Sequence, residues 1–246
     1  DNTSISCETI DYGPCAFMDS FEANKVFSSI DQFGRYSFSN QARVAPWNLS
    51  RLAETILFLI SENTSEAIKV VEEILVDFDK HFNNSFDILS SRKLGIKNNS
   101  KKTSSLYSEL LNLMEAGKAD FTHTFKSLKA ILTKKDTSFF LNNFIGLNED
   151  NQRALSKWLG DWKKLMKENN ESKATAIELL SSSNPEFIMR NHLVEKSIVK
   201  ATKGDFSDFE ILSDLLINPY EMKENYEAFY KAPTNKEVVH KTFCGT

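Results

Sequence analysis

Three side chains near the start of the chain carry hard oxygen donors at a spacing that suits a metal. They are Asp1 and Asn2, then Asp11 in the stretch Asp11-Tyr12-Gly13-Pro14, just after the short apolar pair Thr9-Ile10. A hard cation such as Mg²⁺ takes oxygen ligands from one or two side chains and from nucleotide phosphates. An Asn amide oxygen and the carboxylate of an Asp-x-Gly element are the pair that protein kinases place on that metal. Gly13 would let the backbone turn sharply behind the carboxylate. Asp and Asn at a strand end are also ordinary turn formers, so the spacing by itself leaves both readings open.

Other candidates are weaker. Asp120, His123 and His192 invite a metal or acid/base reading, but single histidines on helices are usually structural, and four His without an HExxH-type spacing do not make a zinc site. His240 and Cys244 stand four apart near the end, where a ligand pair competes with a mobile tail. Arg190 and Asn191 beside His192 suit an anion, or a buried Arg that satisfies carbonyls at a helix end. Lys101-Lys102 and Lys134-Lys135 have no interleaved aromatics and read as solvated surface. No Gly-x-Ser-x-Gly, Walker A or GxGxxG occurs, which removes nucleophile-elbow hydrolases and dinucleotide binders.

These residues must be positioned by a mostly helical scaffold. The chain has 246 residues, 26% charged and 41% hydrophobic, with a net charge of −4, an ordinary balance for one large domain or slightly more. That balance excludes a disordered tail and a basic nucleic-acid binder. Only 8 Gly and 5 Pro leave few turns of the kind β proteins need. Cys7, Cys15 and Cys244 cannot all pair within one chain and show no zinc spacing, which fits a reducing compartment. Six Asn-x-Ser/Thr matches, including Asn48, follow from an Asn- and Ser-rich composition. The longest apolar run, Ile56 to Ile60, is far too short to span a bilayer, and no leader is visible. Because residue 1 is Asp rather than Met, a processed chain or a piece of a longer protein is expected.

Residues 1–45, punctuated by Gly13, Pro14, Gly34 and Pro46, read as strand and loop. From Trp47 helical spacing takes over, first in Leu49, Leu52, Ile56 and Ile60. Ile68, Val71, Leu75, Phe78, Phe82, Phe86 and Leu89 then step by three or four and predict one long amphipathic helix. Residues 90–105 read as an exposed loop open to proteolysis. Helices are expected over 106–116, 121–132, 151–167, with Trp158 and Trp162 on one face, and 173–181. Asn184-Pro185 predicts a capped helix start running to Lys203 before Gly204, and Ser207 with Glu210 a capping box. The tail from Asn218 reads as irregular, with one turn between 221 and 230.

Taken together, the blocks DYGPCAFMDSFE (Asp11 to Glu22) and GRYSFSNQARVAPWNLSRLAE (Gly34 to Glu54) resemble the selenoprotein O family (SelO, YdiU-like), protein adenylyltransferases with a pseudokinase fold. The resemblance continues through RKLGI (Arg92 to Ile96), ADFTHTFKSL (Ala119 to Leu128), NPEFIMRNHLVEKSI (Asn184 to Ile198), KGDF (Lys203 to Phe206) and NPY (Asn218 to Tyr220). It implies a C-terminal half, since family members are about twice as long. The glycine-rich segment, the Lys-Glu ion pair and the phosphate-binding Arg residues would lie upstream, and the break would fall inside the kinase-like catalytic loop.

Residue by residue, the resemblance makes Asp1 the proton acceptor and Asn2 and Asp11 the metal ligands. It implies Mg²⁺ or Mn²⁺ and ATP bound in a reversed orientation, with AMP passed to Ser, Thr or Tyr hydroxyls of protein substrates. In ordinary kinases the catalytic Asp precedes the metal-binding Asn by five positions, whereas Asp1 adjoins Asn2. Cys244 falls where members carry selenocysteine or cysteine, and the position of a second family cysteine is Phe27 here. A Cys15–Cys244 bridge is the remaining redox option.

The expectation is therefore a mostly α fold: residues 1–45 a remnant of a kinase-like C-lobe, and 46–246 a helical C-terminal region. Alone, the chain should be inactive, because metal ligands without a phosphate cradle hold no nucleotide in an attack geometry. No nucleic-acid or membrane partner is expected, and the location implied is the bacterial cytoplasm, or the mitochondrion in a eukaryote. The alternative is a helical binding or regulatory module derived from a pseudokinase.

Overall fold

The computed structural model describes residues 16–169 and 172–242. They are mostly helical, and among them there is no β-strand, only one isolated antiparallel bridge between Ser20 and Asp120. Two compact units emerge among the described residues. One takes in Ala23–Phe86 with Thr242, the other Ala16–Glu22 with Asp87–Lys241.

In the first unit, α1 (Gln41–Ile60) packs on α2 (Thr64–Val76). The strand-and-loop reading holds as loop over 16–37, but α1 begins before Pro46, because a 3-10 turn over Phe38–Asn40 leads straight into it. The loop ahead of it is shaped by Asp31, whose carboxylate accepts from the N–H groups of Arg35 and Tyr36, both at 2.8 Å. Trp47 lies under the Arg35 guanidinium, 4.3 Å from the ring centre, and 5.6 Å from that of Arg51. Asn48, one of the Asn-x-Ser matches, is buried in α1.

The stripe from Ile68 to Leu89 does not form one helix. It divides at Asp77 into α2 and α3 (Phe78–Lys93), where the Asp77 N–H turns to the Leu75 carbonyl. Aspartate competes poorly inside helices, so the break falls there while the apolar face carries on. On α3 the rings of Phe78, Phe82 and Phe86 stack in succession at 6.0 and 6.1 Å.

The second unit holds α4 (Lys101–Ala116) against α7 (Glu149–Glu168), α5 (Phe121–Lys134) against α8 (Lys173–Ser183) and the short α6 (Ser138–Leu141), and α9 (Asn191–Ala201) against α10 (Ser207–Ile217). Trp158 and Trp162 do share one face of α7. Both are buried, stack at 6.1 Å, and donate their indole N–H groups to the carbonyls of Leu106 (2.8 Å) and Leu94 (2.9 Å). A second apolar cluster joins Phe187, Leu193, Leu212, Leu215 and Tyr230.

The expected exposed loop over 90–105 shrinks to 97–100. Helix α3 runs to Lys93 and ends in a Schellman motif, with Ile96 N–H donating to Ser91 O (3.0 Å) and Gly95 N–H to Arg92 O (2.9 Å). Gly95 takes φ 73°, and its neighbours Leu94 and Ile96 are fully buried. Composition alone hid this, because two apolar residues around a glycine look like any short linker.

Two start signals also move. Asn184 caps the end of α8 rather than the start of the next helix, and its amide donates to Lys93 O at 3.0 Å. The N–H groups of Glu186 and Phe187 both go to the Pro219 carbonyl (2.8 and 3.0 Å), which holds 185–190 out of the helix until Asn191. At α10 the Ser207 side chain does not cap; its own N–H donates instead to Asp205 Oδ1 at 3.0 Å. The tail carries a 3-10 turn over Glu227–Tyr230.

Candidate functional site

Asp1, Asn2 and Asp11, with Gly13, Cys7, Cys15 and Cys244, lie outside the described residues. What the structure describes is the stretch that follows them, residues 16–22, and how it is held.

That stretch is bound along its backbone. Phe17 N–H donates to Asn191 Oδ1 at 2.9 Å, and Asn191 Nδ2 donates back to Phe17 O at 2.9 Å. Phe21 N–H donates to Ala119 O (2.9 Å) and Phe121 N–H to Asp19 O (2.9 Å), which makes the bridge between Ser20 and Asp120. The Phe21 ring stacks on Phe121 at 5.8 Å. Four hydrogen bonds and a ring contact thus fix five residues and act against the backbone entropy they lose.

Beneath this anchor sits Arg190, 2% exposed. It is the last extended residue before α9, so its side chain leaves the helix N-terminus toward α5. One guanidinium nitrogen donates to Asp19 and to Asp120 Oδ2 (2.7 Å), while the other reaches Asp120 Oδ1 at 3.3 Å. Asp120 is itself the N-cap of α5, accepting from His123 N–H at 2.8 Å. Burial works against the Arg190 charge, but the hydrogen bond and charge of Asp120, then those of Asp19, more than offset it and raise its pKa.

His123 packs against this group. Its Nε2 lies 2.7 Å from the Tyr230 carbonyl, which can only accept, so that nitrogen carries the proton. The 3.3 Å approach of Arg190 to the same nitrogen is then a contact between donors. Burial lowers the His123 pKa; Asp120 opposes this and Arg190 reinforces it. The net direction favours the neutral imidazole. His192 is likewise lowered, chiefly by burial, and its Nδ1 is buried with no hydrogen-bond partner.

One guanidinium shared by two carboxylates is a clamp that sets chain geometry and leaves no activated nucleophile. Among the described residues no group of three or more His, Cys, Asp or Glu is arranged to hold a metal. Asp120, His123 and Arg190 do come together, Arg190 paired with Asp120 and Asp19 and His123 packed against them. Arg190 satisfies carboxylates and not helix-end carbonyls: Asp19 stands 171 residues away in sequence, a partner that local patterns cannot reveal. Sequence reasoning also missed Lys93, whose burial pulls its amine down to about 8. In the sequence it is an ordinary basic residue of a helix's last turn, and the rings of Phe121 and Phe125 reach it only in space.

Comparison with known proteins gives a consistent picture. Residues 1–217 match a family model described as protein adenylyltransferase SelO. The chain is similar over its whole length to proteins named protein nucleotidyltransferase YdiU. It is 39% identical to that of Bacillus cereus (strain AH187) and 40% identical to that of Clostridium botulinum (strain 657 / Type Ba4), in each case over 247 aligned positions. All of this chain is covered but 48% of each relative, so the chain spans about half the length of the curated relatives it matches.

Proposed function

The chain belongs to the SelO family of protein adenylyltransferases, and from that premise we propose that it is the C-terminal half of an enzyme that transfers AMP from ATP to Ser, Thr or Tyr hydroxyls of proteins. The observation that carries this reading is the match of residues 1–217 to the family, with 39% identity along the whole chain to a named nucleotidyltransferase. In this reading residues 1–45 belong to a kinase-like lobe and 46–246 form the helical region that supports it.

The donor set suits the chemistry. The amide oxygen of Asn2 and the carboxylate of Asp11 are hard ligands of the kind Mg²⁺ or Mn²⁺ prefers. When bound, such a cation neutralises charge on the attacked phosphate and on the departing pyrophosphate. Asp1 takes the proton of the substrate hydroxyl as its oxygen bonds to the α-phosphorus and the bond to pyrophosphate breaks. Asn2 and Asp11 would hold that cation, and its charge would fix the phosphate before the hydroxyl. The remaining phosphate-binding groups lie in the half of the relatives that this chain does not span. No described helix is long and apolar enough to cross a membrane; the location proposed from the family resemblance is the bacterial cytoplasm, or the mitochondrion in a eukaryote.

The test uses the full-length protein with Mg²⁺ and ATP labelled at either the α- or the γ-phosphate, beside Asp11→Ala. Label on protein from the α-phosphate alone, lost in Asp11→Ala, is the expected result. Label from the γ-phosphate makes the enzyme a kinase, and no label from either leaves the binding module as the better reading.

A further inference from the structure

The second half of α1 carries the pattern of a buried helix without being buried. Leu52, Ile56 and Leu59 recur at the four- and three-residue steps of one helix face, and all three are exposed, Leu59 by 71%. Of its 20 residues α1 buries two, Val44 and Asn48, whereas α7, of the same length, buries six, Trp158 and Trp162 among them. Its neighbour α2 repeats the pattern, with Ala67 buried while Val70 and Ile74, four apart, stand open. Single apolar side chains are common on any surface, but an open stripe at helical period marks a contact surface.

Two observations bear on what covers it. The curated relatives carry about as much chain again as this one spans, since it covers 48% of each. The second unit has closed apolar clusters of its own, around Trp158 and Trp162 and around Phe187 and Tyr230, whereas the first unit, with so few buried side chains, has too small a core to stand by itself. A lipid surface fits poorly. Helix α2 carries Glu66, Glu72 and Glu73 against Lys69 alone, and helices that lie on membranes carry Lys and Arg on their polar face.

We infer that the apolar face of α1 seats the other half of the full-length protein, the half that the relatives have and this chain does not span. The inference rests on the reading of the chain as a C-terminal half. The contact is made within one polypeptide, by residues that precede Asp1 in the full-length chain, and its centre runs along Leu52, Ile56 and Leu59.

Photo-crosslinking of the full-length protein tests this. p-Benzoylphenylalanine replaces Leu59, and in a second protein Ile56; each is irradiated and the product mapped by mass spectrometry. The expected crosslink joins α1 to a peptide upstream of Asp1 in the same chain. A crosslink to residues 87–241 would make the second unit the cover, a product of doubled mass would make it a second copy, and no crosslink from either position would leave the face in water. Each of these three results overturns the inference. The mass of the intact protein is read first, because a product no longer than 246 residues refutes the half-chain reading itself. Crosslinking needs no catalysis, so an upstream crosslink in a protein that takes no label from ATP sinks adenylyl transfer and leaves this contact standing.

Discussion

The side-chain amide of Asn191 closes a two-bond ring with the backbone of Phe17, accepting from its N–H and donating to its carbonyl, each at 2.9 Å and across 174 residues of sequence. The first residue of α9 is thereby tied to the stretch that follows Asp11 in the chain. The fixed course of residues 17–21 depends on these bonds, on the bridge between Ser20 and Asp120 and on the neighbouring Arg190 clamp.

Replacing Asn191 by Ala removes both bonds and leaves two part-buried backbone groups to find new partners. The cost should be about 1–3 kcal/mol in urea unfolding. Asn191→Asp keeps the acceptor and loses the donor, so it should fall between the two. Equal stability of Asn191→Ala and the parent would show that water serves Phe17 as well as the amide does.

Arg190→Met should be far more damaging, by about 3–5 kcal/mol, because it strands the carboxylates of Asp19 and Asp120 in a buried site. Adding Asp120→Asn to that variant should recover part of the loss, since a neutral amide is cheaper to bury. A double variant no more stable than Arg190→Met would argue against the pairing as the source of the effect.

Lys93 makes stability depend on pH in a defined window. Its amine titrates near 8 in the folded chain and near 10.5 unfolded, so between these values the unfolded chain binds more protons and folding becomes more favourable as pH rises. The gain should approach about 3 kcal/mol from pH 8 to pH 10.5. Lys93→Met should be more stable than the parent at pH 7 and should lack that rise. Parallel profiles for the two proteins would contradict the assignment.

At Gly95 the backbone takes φ 73°, and an added Cβ would lie 2.9 Å from Leu180 Cγ and 3.2 Å from the Ala176 carbonyl. Gly95→Ala should therefore lose more than about 1 kcal/mol, through both strain at positive φ and displacement of α8. Thermal unfolding reads this directly; a shift within error would mean that α8 yields freely.

Much of the helical scaffold was legible from spacing, and the reasons are local. The α7 stripe with Trp158 and Trp162 and the α4 and α5 stripes follow a 3.6-residue period that burial enforces. The positions that misled were those where a distant partner claims a backbone group. Asn184-Pro185 carries every mark of a helix start, yet the Pro219 carbonyl takes the N–H groups that would have been capped. Residues 90–96 show no stripe and read as part of a loop, yet the last turn of α3 and its Schellman glycine bury Leu94 and Ile96. The anchor is not visible as one unit: Asp120 and Arg190 stand out separately, as an acid/base candidate and an anion binder, whereas Asp19 and Arg190 meet only in space. Asp1, Asn2 and Asp11, named from sequence and resemblance, lie outside the described residues.

The three tryptophans of the chain sit in two very different settings, and this gives the protein built-in optical reporters. Trp158 and Trp162, buried and hydrogen-bonded to main-chain carbonyls, belong to the second unit; Trp47, about half exposed beneath the Arg35 guanidinium, belongs to the first. A soluble collisional quencher therefore reaches the indole of one unit before it reaches those of the other. Emission from the chain separates into an accessible, red-shifted component and a shielded, blue-shifted one, so that melting of either unit can be followed without attaching a label.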